Sequence, residues 1–249
     1  MKISIITIAY NSAETIEATI QSVIAQEYAD VEYIIIDGAS KDATMEVVNR
    51  YRNHISIVVS EPDKGIYDAM NKGVARATGD VVGILNSDDF YADNTVISDV
   101  IARFQESGAD AVYADLMYVE RDHPDKVVRY WKSRPYKPGM FRKGWMPAHP
   151  TFFLKNQCYR EHGTYSTELR SAADYELMLR MLEKHQVSAV HLPRVLTKMR
   201  VGGQSNVSLK NRIRANREDR RAWKMNGLTP AWYTLAVKPL SKLTQFIRR

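Results

Sequence analysis

Apolar and polar positions alternate between two periods along the first 115 residues. Residues 3–9 (ISIITIA) form a short apolar run rich in β-branched side chains, the pattern of a buried strand. Ile16, Ile20, Val23 and Ile24 follow at helical spacing, with Asn11-Ser12 as the predicted cap. Further strands are predicted at 31–36, 55–59 and 81–85, with one beginning at 111–114. Helices are predicted at 43–51, 65–77 and 94–104, and Ala69, Met70, Val74 and Ala77 share one face of the second. Strand and helix alternating through short connections imply an α/β fold. Its central sheet is mostly parallel and Rossmann-like, with helices on both faces. Beyond residue 115 the alternation weakens. Residues 130–146 contain Pro135, Pro138, Gly139 and Gly144 and are expected to form a long loop. A helix is predicted at 174–183, a strand at 187–191 and a basic helix at 209–224.

Length and composition narrow this picture. The 249 residues suit one α/β domain better than two independent ones, and 45% hydrophobic with 26% charged residues is ordinary for a globular chain. The sequence divides into a body, 1–204, in two halves (1–115 and 116–204), and a basic helical extension, 205–249. No apolar stretch has the length of a membrane span. The N-terminal run is interrupted by Ser4 and Thr7, so a signal peptide is not expected. Cys158 is the single cysteine, which excludes an internal disulfide and fits a cytoplasmic setting.

The net charge of +6 is unevenly placed. Residues 205–249 hold 11 Lys/Arg against 2 Asp/Glu, a net of +9, whereas the other 204 residues hold 24 against 27, a net of −3. Arg212, Arg214, Arg217, Arg220, Arg221 and Lys224 crowd the basic helix. Beyond Pro230, Trp232, Leu235, Ala236, Leu240, Leu243 and Ile247 fall on one stripe, with Lys238, Lys242, Arg248 and Arg249 nearby and Pro239 as a kink. Two readings stay open: a helix lying in an anionic membrane interface, or a helix packed on the body with a solvated charged face. Nucleic acid is disfavoured as a partner, because the acidic clusters of the body would repel a phosphate backbone.

Those clusters fall where strands end: Asp37-Gly38-Ala39-Ser40-Lys41-Asp42, then Asn86-Ser87-Asp88-Asp89, and later Asp174-Tyr175-Glu176 at a helix start. Each alone reads equally well as a turn or a cap. Together at one sheet rim they suggest a ligand, because adjacent carboxylates are costly to hold unless a cation or a hydrogen-bonded group neutralises them. Mg²⁺ or Mn²⁺ fits, since such cations take few protein carboxylates and complete their shells with phosphate and water. A dehydrogenase is disfavoured by the absence of Gly-x-Gly-x-x-Gly after the first strand, and a P-loop enzyme by the absence of its glycine-lysine loop. A nucleotidyltransferase lacks support for the same reason: no early phosphate loop rich in glycine and arginine occurs.

Taken in order, ISIITIAYN (3–11), DGASKD (37–42), EPDKGIYDAMNKG (61–73), GDVVGILNSDD (79–89) and AADYE (172–176) resemble the family 2 glycosyltransferases with the GT-A fold. The resemblance covers roughly residues 1–200 and implies roles. Asp37 would read the uracil of a UDP-sugar, and Ala9, Tyr10 and Asn11 would line base and ribose. Asp63, Lys64, Asp68, Asn71 and Lys72 would close over the nucleotide and donor sugar. Asp88 would touch ribose or sugar, Asp89 would bind the metal and Asp174 would act as general base in an inverting transfer. Asn86 stands where many relatives have an acid. The implied partners are a nucleotide-sugar donor and a glycan acceptor, lipid-diphosphate-linked in bacterial surface polysaccharide synthesis. That setting would put the protein in the cytoplasm, with peripheral contact on the inner face of the membrane. A fold of this kind that has lost activity, or been repurposed for binding, is the rival reading. Trp145, His149 and Arg200 are acceptor-side candidates. Aromatic rings stack on sugars and arginine contacts phosphate, although Phe152 and Phe153 beside them suit a core strand and Arg200 suits an ordinary surface.

Overall fold

A computed structural model describes residues 1–202 and 209–234, with side chains between 209 and 215 outside that description. The side chains of Arg212 and Arg214, and the predicted stripe from Leu235 to Ile247 with its flanking cations, therefore lie outside the described residues.

The core begins with β1 (Ile3–Ala9), buried along its whole length. It pairs in parallel with β2 (Val31–Asp37) and β4 (Val81–Asn86), and β2 pairs in parallel with β3 (Ile57–Ser60). Strands buried on both faces need apolar residues at both parities. Ile3 and Ile5 accordingly pack with Tyr33 and Ile35 under α1 (Ile16–Ile24), α2 (Thr44–Arg50) and α4 (Val96–Ser107). Ile6 and Ile8 pack with Ile34 and Ile36 on the opposite face, under α3 (Ile66–Arg76) and three later helices. At α3 the approach is close enough to require glycine. A Cβ on Gly73 would lie 2.4 Å from Ile6 Cγ2. Gly73→Ala is expected to cost about 1–3 kcal/mol by overpacking, measured as a lower urea midpoint at unchanged slope.

Beyond β4 the sheet is mixed. Its order is β3-β2-β1-β4-β8-β6-β9-β5, with β7 on the other part of β6. Here β5 is Asp89–Tyr91, β6 Ala111–Val119, β7 Val127–Trp131, β8 Phe153–Lys155 and β9 Ala189–Arg200. Only β6 and β9 run parallel in this half, among the described residues. The sequence pattern does not reveal β5 or β7, and of β8 it shows only core-strand character at Phe152-Phe153. β5 and β8 are three residues each, too short for a period to show. β7 opens on exposed Val127 and Val128 and takes Tyr130 and Trp131 out of the expected 130–146 loop. Phe152 and Phe153 are both core residues, and Phe153 lies against Gly83.

The predicted cap at Asn11-Ser12 is also corrected. The helix α1 starts at Ile16, after Thr15 and without a side-chain cap. Asn11 instead adopts φ 49°, a left-handed turn that asparagine tolerates. Its side chain accepts the Lys41 N–H at 2.9 Å.

One buried acid ties the sheet edge opposite the site. Glu32 accepts hydrogen bonds from Ser4 Oγ, Thr78 N and Oγ1, and Lys2 Nζ. Burial alone would raise its pKa, but these donors overcome burial and hold it at about 2. A carboxyl whose pKa falls on folding stabilises above its unfolded value and loses that contribution as pH falls through the folded one. The wild type should therefore lose stability between about pH 4.5 and pH 2, and Glu32→Gln should lose less over that window in acid titrations followed by circular dichroism.

The remaining helices, α5 (Asn156–His162), α6 (Ala173–Leu179) and α7 (Leu209–Met225), cover the face shared with α3. The described part of the basic helix packs on the body. Trp223 is 1% exposed and donates Nε1–H to Tyr175 Oη at 2.8 Å. Asn226 donates to Glu176 Oε1 at 3.0 Å, and Glu218 accepts the Arg170 and Ser171 N–H groups. Residues 216–226 are thus built onto α6 rather than trailing from it.

Candidate functional site

The carboxyl ends of β1, β2, β3 and β4 share one rim, and short polar residues stitch their loops together. Gly38 N–H donates to Ala9 O, Glu61 N–H to Asp37 O, and Asn11 N–H to Ser40 Oγ. The hydroxyls of Ser12 and Ser87 meet at 2.8 Å, joining the β1 loop to the β4 loop. Ala39 sits at φ 58°, where a residue with a Cβ is strained, so this rim is held in shape by its hydrogen bonds.

Asp37 stands at the end of β2 as expected, but its carboxylate is turned inward. It is fully buried and accepts from Ser40 N, Ser40 Oγ and Ser60 Oγ. In this conformation it shapes the turn rather than facing solvent. Tyr10 is the exposed group at the rim, at 54%. A Cβ on Gly38 would lie 2.9 Å from Asp63 Oδ2 and 3.3 Å from Tyr10 Cδ2, so Gly38 lets these two side chains converge. Lys72 gathers three acids, Asp63 at 2.6 Å, Glu61 at 3.0 Å and Asp68 at 3.8 Å. Asp68 also accepts the Lys64 N–H at 3.0 Å. Asn71, expected over the donor, instead exchanges two hydrogen bonds with the Tyr165 backbone and staples α3 to the segment before α6.

The acid pair lies one strand end away. Asp89 is fully buried in β5. Its Oδ2 accepts Asn86 Nδ2 at 3.0 Å, while Asp89 Oδ1 and Asn86 Oδ1 have no hydrogen-bond partner. Burial, followed by the charge of Asp88, pushes the Asp89 carboxyl well above the usual range, with Arg200 opposing. Asp88 is raised by burial too, against the pull of Arg200 and Arg121. Two orphaned oxygens beside an uncompensated acid pair are the donor set a hard cation would complete. Among the described residues no three His, Cys, Asp or Glu side chains cluster. A cation here would rely on Asp89, Asp88 and the amide oxygen of Asn86, with phosphate and water for the rest.

Arg200 packs beside this pair. It stacks on Phe90 at 4.6 Å and donates to Asp88 O at 2.8 Å. It therefore belongs with the acid pair and not with Trp145. Trp145 itself is packed among Tyr113, Tyr136 and Phe141. His149 is linked to Asp174 through two tyrosines, Tyr165 and Tyr67. Its Nε2 meets Tyr165 Oη at 3.0 Å, and burial lowers its pKa despite the Asp174 charge, which favours a neutral ring.

Asp174 occupies the first turn of α6 and is partly exposed. Tyr67 Oη donates to its Oδ1 at 3.1 Å, and Tyr67 stacks on Tyr165 at 6.0 Å. Burial and the adjacent Asp174 charge keep the Tyr67 phenol protonated. Tyr118 lies at the Asp89 end. It is opposite Met199 on β9, which is opposite Asp89 on β5, so backbone positions 118 and 89 lie two strand spacings apart, roughly 9–10 Å. Burial raises the Tyr118 pKa, and the charges of both Asp89 and Asp174 add to that rise. Arg129, opposite Tyr118 on β7, stacks on its ring at 4.6 Å. Tyr67, Tyr118, Tyr165 and Arg129 are site neighbours that the sequence pattern does not single out. Tyr67 sits inside the 61–73 motif, but the others come from distant segments with no local signature.

Comparison with known proteins decides the family. A sequence model of glycosyl transferase family 2 matches residues 4–165. The chain belongs to that family. An uncharacterized glycosyltransferase of Mycobacterium tuberculosis is 30% identical to this family 2 chain over 180 residues, 72% of this chain and 68% of the relative. Staphylococcus aureus TarS, solved in complex with UDP-GlcNAc, superposes with a TM-score of 0.70 at 18% identity over 91% of this chain and 65% of its own. The mannosyltransferase PcManGT of Pyrobaculum calidifontis, solved with GDP-Man and Mn²⁺, gives 0.68 at 19% identity over 95% and 68%. This chain thus spans about two thirds of the length of these proteins. Its fold is the GT-A fold expected from the sequence.

Proposed function

We propose that this family 2 chain is an inverting, metal-dependent glycosyltransferase, moving a sugar from a UDP-sugar to a hydroxyl of a glycan acceptor. The observation that carries the reading is the buried Asp89 beside Asp88, with Asp89 Oδ1 and Asn86 Oδ1 left without hydrogen-bond partners, at the strand ends of a family 2 fold. The exposed ring of Tyr10, with Asn11 and Asp63 beside it, would receive base and ribose, while Asp37 keeps the turn beneath them in shape. Asp88 would contact ribose or donor sugar. Lys64, Asp68 and Lys72 would border the diphosphate, and Asn71 would hold the helix that carries them. A Mn²⁺ or Mg²⁺ bound by Asp89 would stabilise the charge growing on the departing diphosphate.

Asp174 performs the proton transfer in this reading. As the acceptor oxygen bonds to the anomeric carbon, the bond from that carbon to the diphosphate oxygen breaks and its electron pair leaves with UDP. The hydroxyl proton passes to an Asp174 carboxylate oxygen. Attack from the side opposite the leaving group inverts the anomeric centre, through an oxocarbenium-like state. Tyr67 orients the Asp174 carboxylate by its hydrogen bond. His149, neutral, would hydrogen-bond an acceptor hydroxyl, and Arg200 would steady the acid pair. A lipid-diphosphate-linked glycan of a bacterial surface polysaccharide is the acceptor class this reading favours.

The test is a panel of UDP-, GDP- and TDP-sugars with Mn²⁺, followed by nucleotide release and by NMR of the anomeric product. UDP release with inversion supports the reading. Retention contradicts the single displacement, and silence across the panel with and without glycan acceptors contradicts the transferase reading itself.

A further inference from the structure

The groove at the end of α7 plays no part in the chemistry above, and its composition is unusual. Gly227 closes α7 at φ 67°, a conformation that favours glycine, and Leu228 N–H returns to Trp223 O at 2.9 Å. This reversal lays residues 228–232 back beside the last turns of the helix. The result is a cavity of about 330 Å³ lined by Arg220, Lys224, Leu228, Thr229, Pro230 and Trp232, among others. Arg220 and Lys224 are four residues apart and share one helix face. Neither has a carboxylate partner among the described residues, whereas neighbouring Arg221 pairs with Glu168. Trp232 is 94% exposed. Large aromatic side chains rarely stand so free unless they meet a partner.

We propose that this groove binds the phosphate headgroup of an anionic phospholipid, with the Trp232 indole seated in the membrane interface. Two unpaired cations supply the attraction for the phosphate, and an indole beside apolar Leu228 and Pro230 suits the boundary between headgroup and acyl chain. The described side chains of residues 216–234 carry four Lys/Arg against two Asp/Glu, a net of +2, so this end of the described chain is basic. A nucleic-acid strand is the poorer occupant, since such grooves use successive aromatic platforms and this one offers a single exposed indole. No helix among the described residues is long and apolar enough to cross a membrane, so attachment here would be peripheral.

The groove is rigidly joined to the chemistry. Trp223 and Asn226 fix α7 to Tyr175 and Glu176, which immediately follow Asp174. Thr234, just beyond Trp232, donates to Arg142 O at 2.6 Å. Docking through Trp232 would therefore set the orientation of α6, and with it Asp174, relative to the bilayer. That consequence rests on the transferase reading. The headgroup site does not.

The test uses the full chain, because removing α7 would uncover the buried Trp223. Co-sedimentation and tryptophan emission are followed with vesicles of phosphatidylglycerol and phosphatidylcholine, and with phosphatidylcholine alone. Wild type should sediment with the anionic vesicles only, with a blue shift in emission. The shift should vanish in Trp232→Ala, since Trp131, Trp145 and Trp223 are packed in the protein. Arg220→Gln with Lys224→Gln should partition roughly 30-fold more weakly. These substitutions are on the surface, so melting temperature and UDP affinity should match wild type. Their loss would instead report damage to the fold or failure of the transferase reading. Equal partitioning of wild type and both variants would overturn the proposal. So would absence of vesicle binding, or capture of inorganic phosphate or single-stranded DNA in place of vesicles.

Discussion

Replacing Asp174 by Asn is expected to lower the turnover of sugar transfer by about 10²–10⁴-fold while leaving UDP affinity within roughly twofold of wild type. The asymmetry follows from placement. Asp174 lies in the first turn of α6, and its hydrogen bond comes from Tyr67 rather than from the loops after β1, β2 and β4 to which the proposal assigns the nucleotide. An amide keeps the shape and still accepts the Tyr67 hydroxyl, but it cannot take a proton from the acceptor. Tyr67→Phe should have a smaller effect, because it frees the carboxylate to turn without removing it. Steady-state rates and calorimetry on the same preparations check both statements. Near-normal transfer by Asp174→Asn would move the base to another residue.

Asp89→Asn is expected to weaken Mn²⁺-dependent UDP binding by at least roughly 10- to 100-fold, the range that even outer-sphere substitutions reach at metal sites. Its effect on stability should run the other way. Asp89 is fully buried beside Asp88, its Oδ1 has no hydrogen-bond partner, and its carboxyl is pushed well above the usual range by burial. A carboxyl whose pKa rises on folding penalises the folded chain at neutral pH, where it must be ionised against its surroundings or protonated. Asparagine removes that penalty. The metal-free variant should melt at or above the wild-type temperature, with no further rise on adding Mn²⁺ and UDP, whereas wild type should gain from both. A variant that melts lower and still binds UDP with Mn²⁺ would show Asp89 to be a structural acid only.

The first half of the fold was legible because β1, β2 and β4 are long, apolar and separated by helices with clear 3.6-residue faces. In the second half β6, α6, β9 and α7 were legible, but β5 was not and β8 only in its core-strand character at Phe152-Phe153, because they are three residues each and their pairing with β9, β4 and β6 depends on segments far away in sequence. The same division runs through the site. Asp88, Asp89 and Asp174 stand out as acids at strand or helix ends, and the structure shows Asp89 buried beside Asp88 and Asp174 held by the Tyr67 hydroxyl. Asp37 and Asn71 have the right position but are turned to structural bonds, to Ser40 and Ser60 and to the Tyr165 backbone. Residue type could not reveal that, since it depends on where each side chain finds partners. Tyr118, Tyr165 and Arg129 were invisible for the opposite reason: nothing in their own segments marks them, and only the β6–β7 and β6–β9 registers and the packing of α3 against residue 165 bring them in. The helical tail shows a third limit. Its charge left a membrane-lying and a body-packed helix both open, and Trp223 and Asn226 fix one face of the described part to α6.

The measurement that tests the central claim most directly is a calorimetric titration of the purified protein with UDP, GDP and TDP, each with and without Mn²⁺. The account predicts saturable binding of UDP that depends on the metal and is lost in Asp89→Asn. A folded sample that binds none of the three nucleotides in the presence of Mn²⁺ would contradict it.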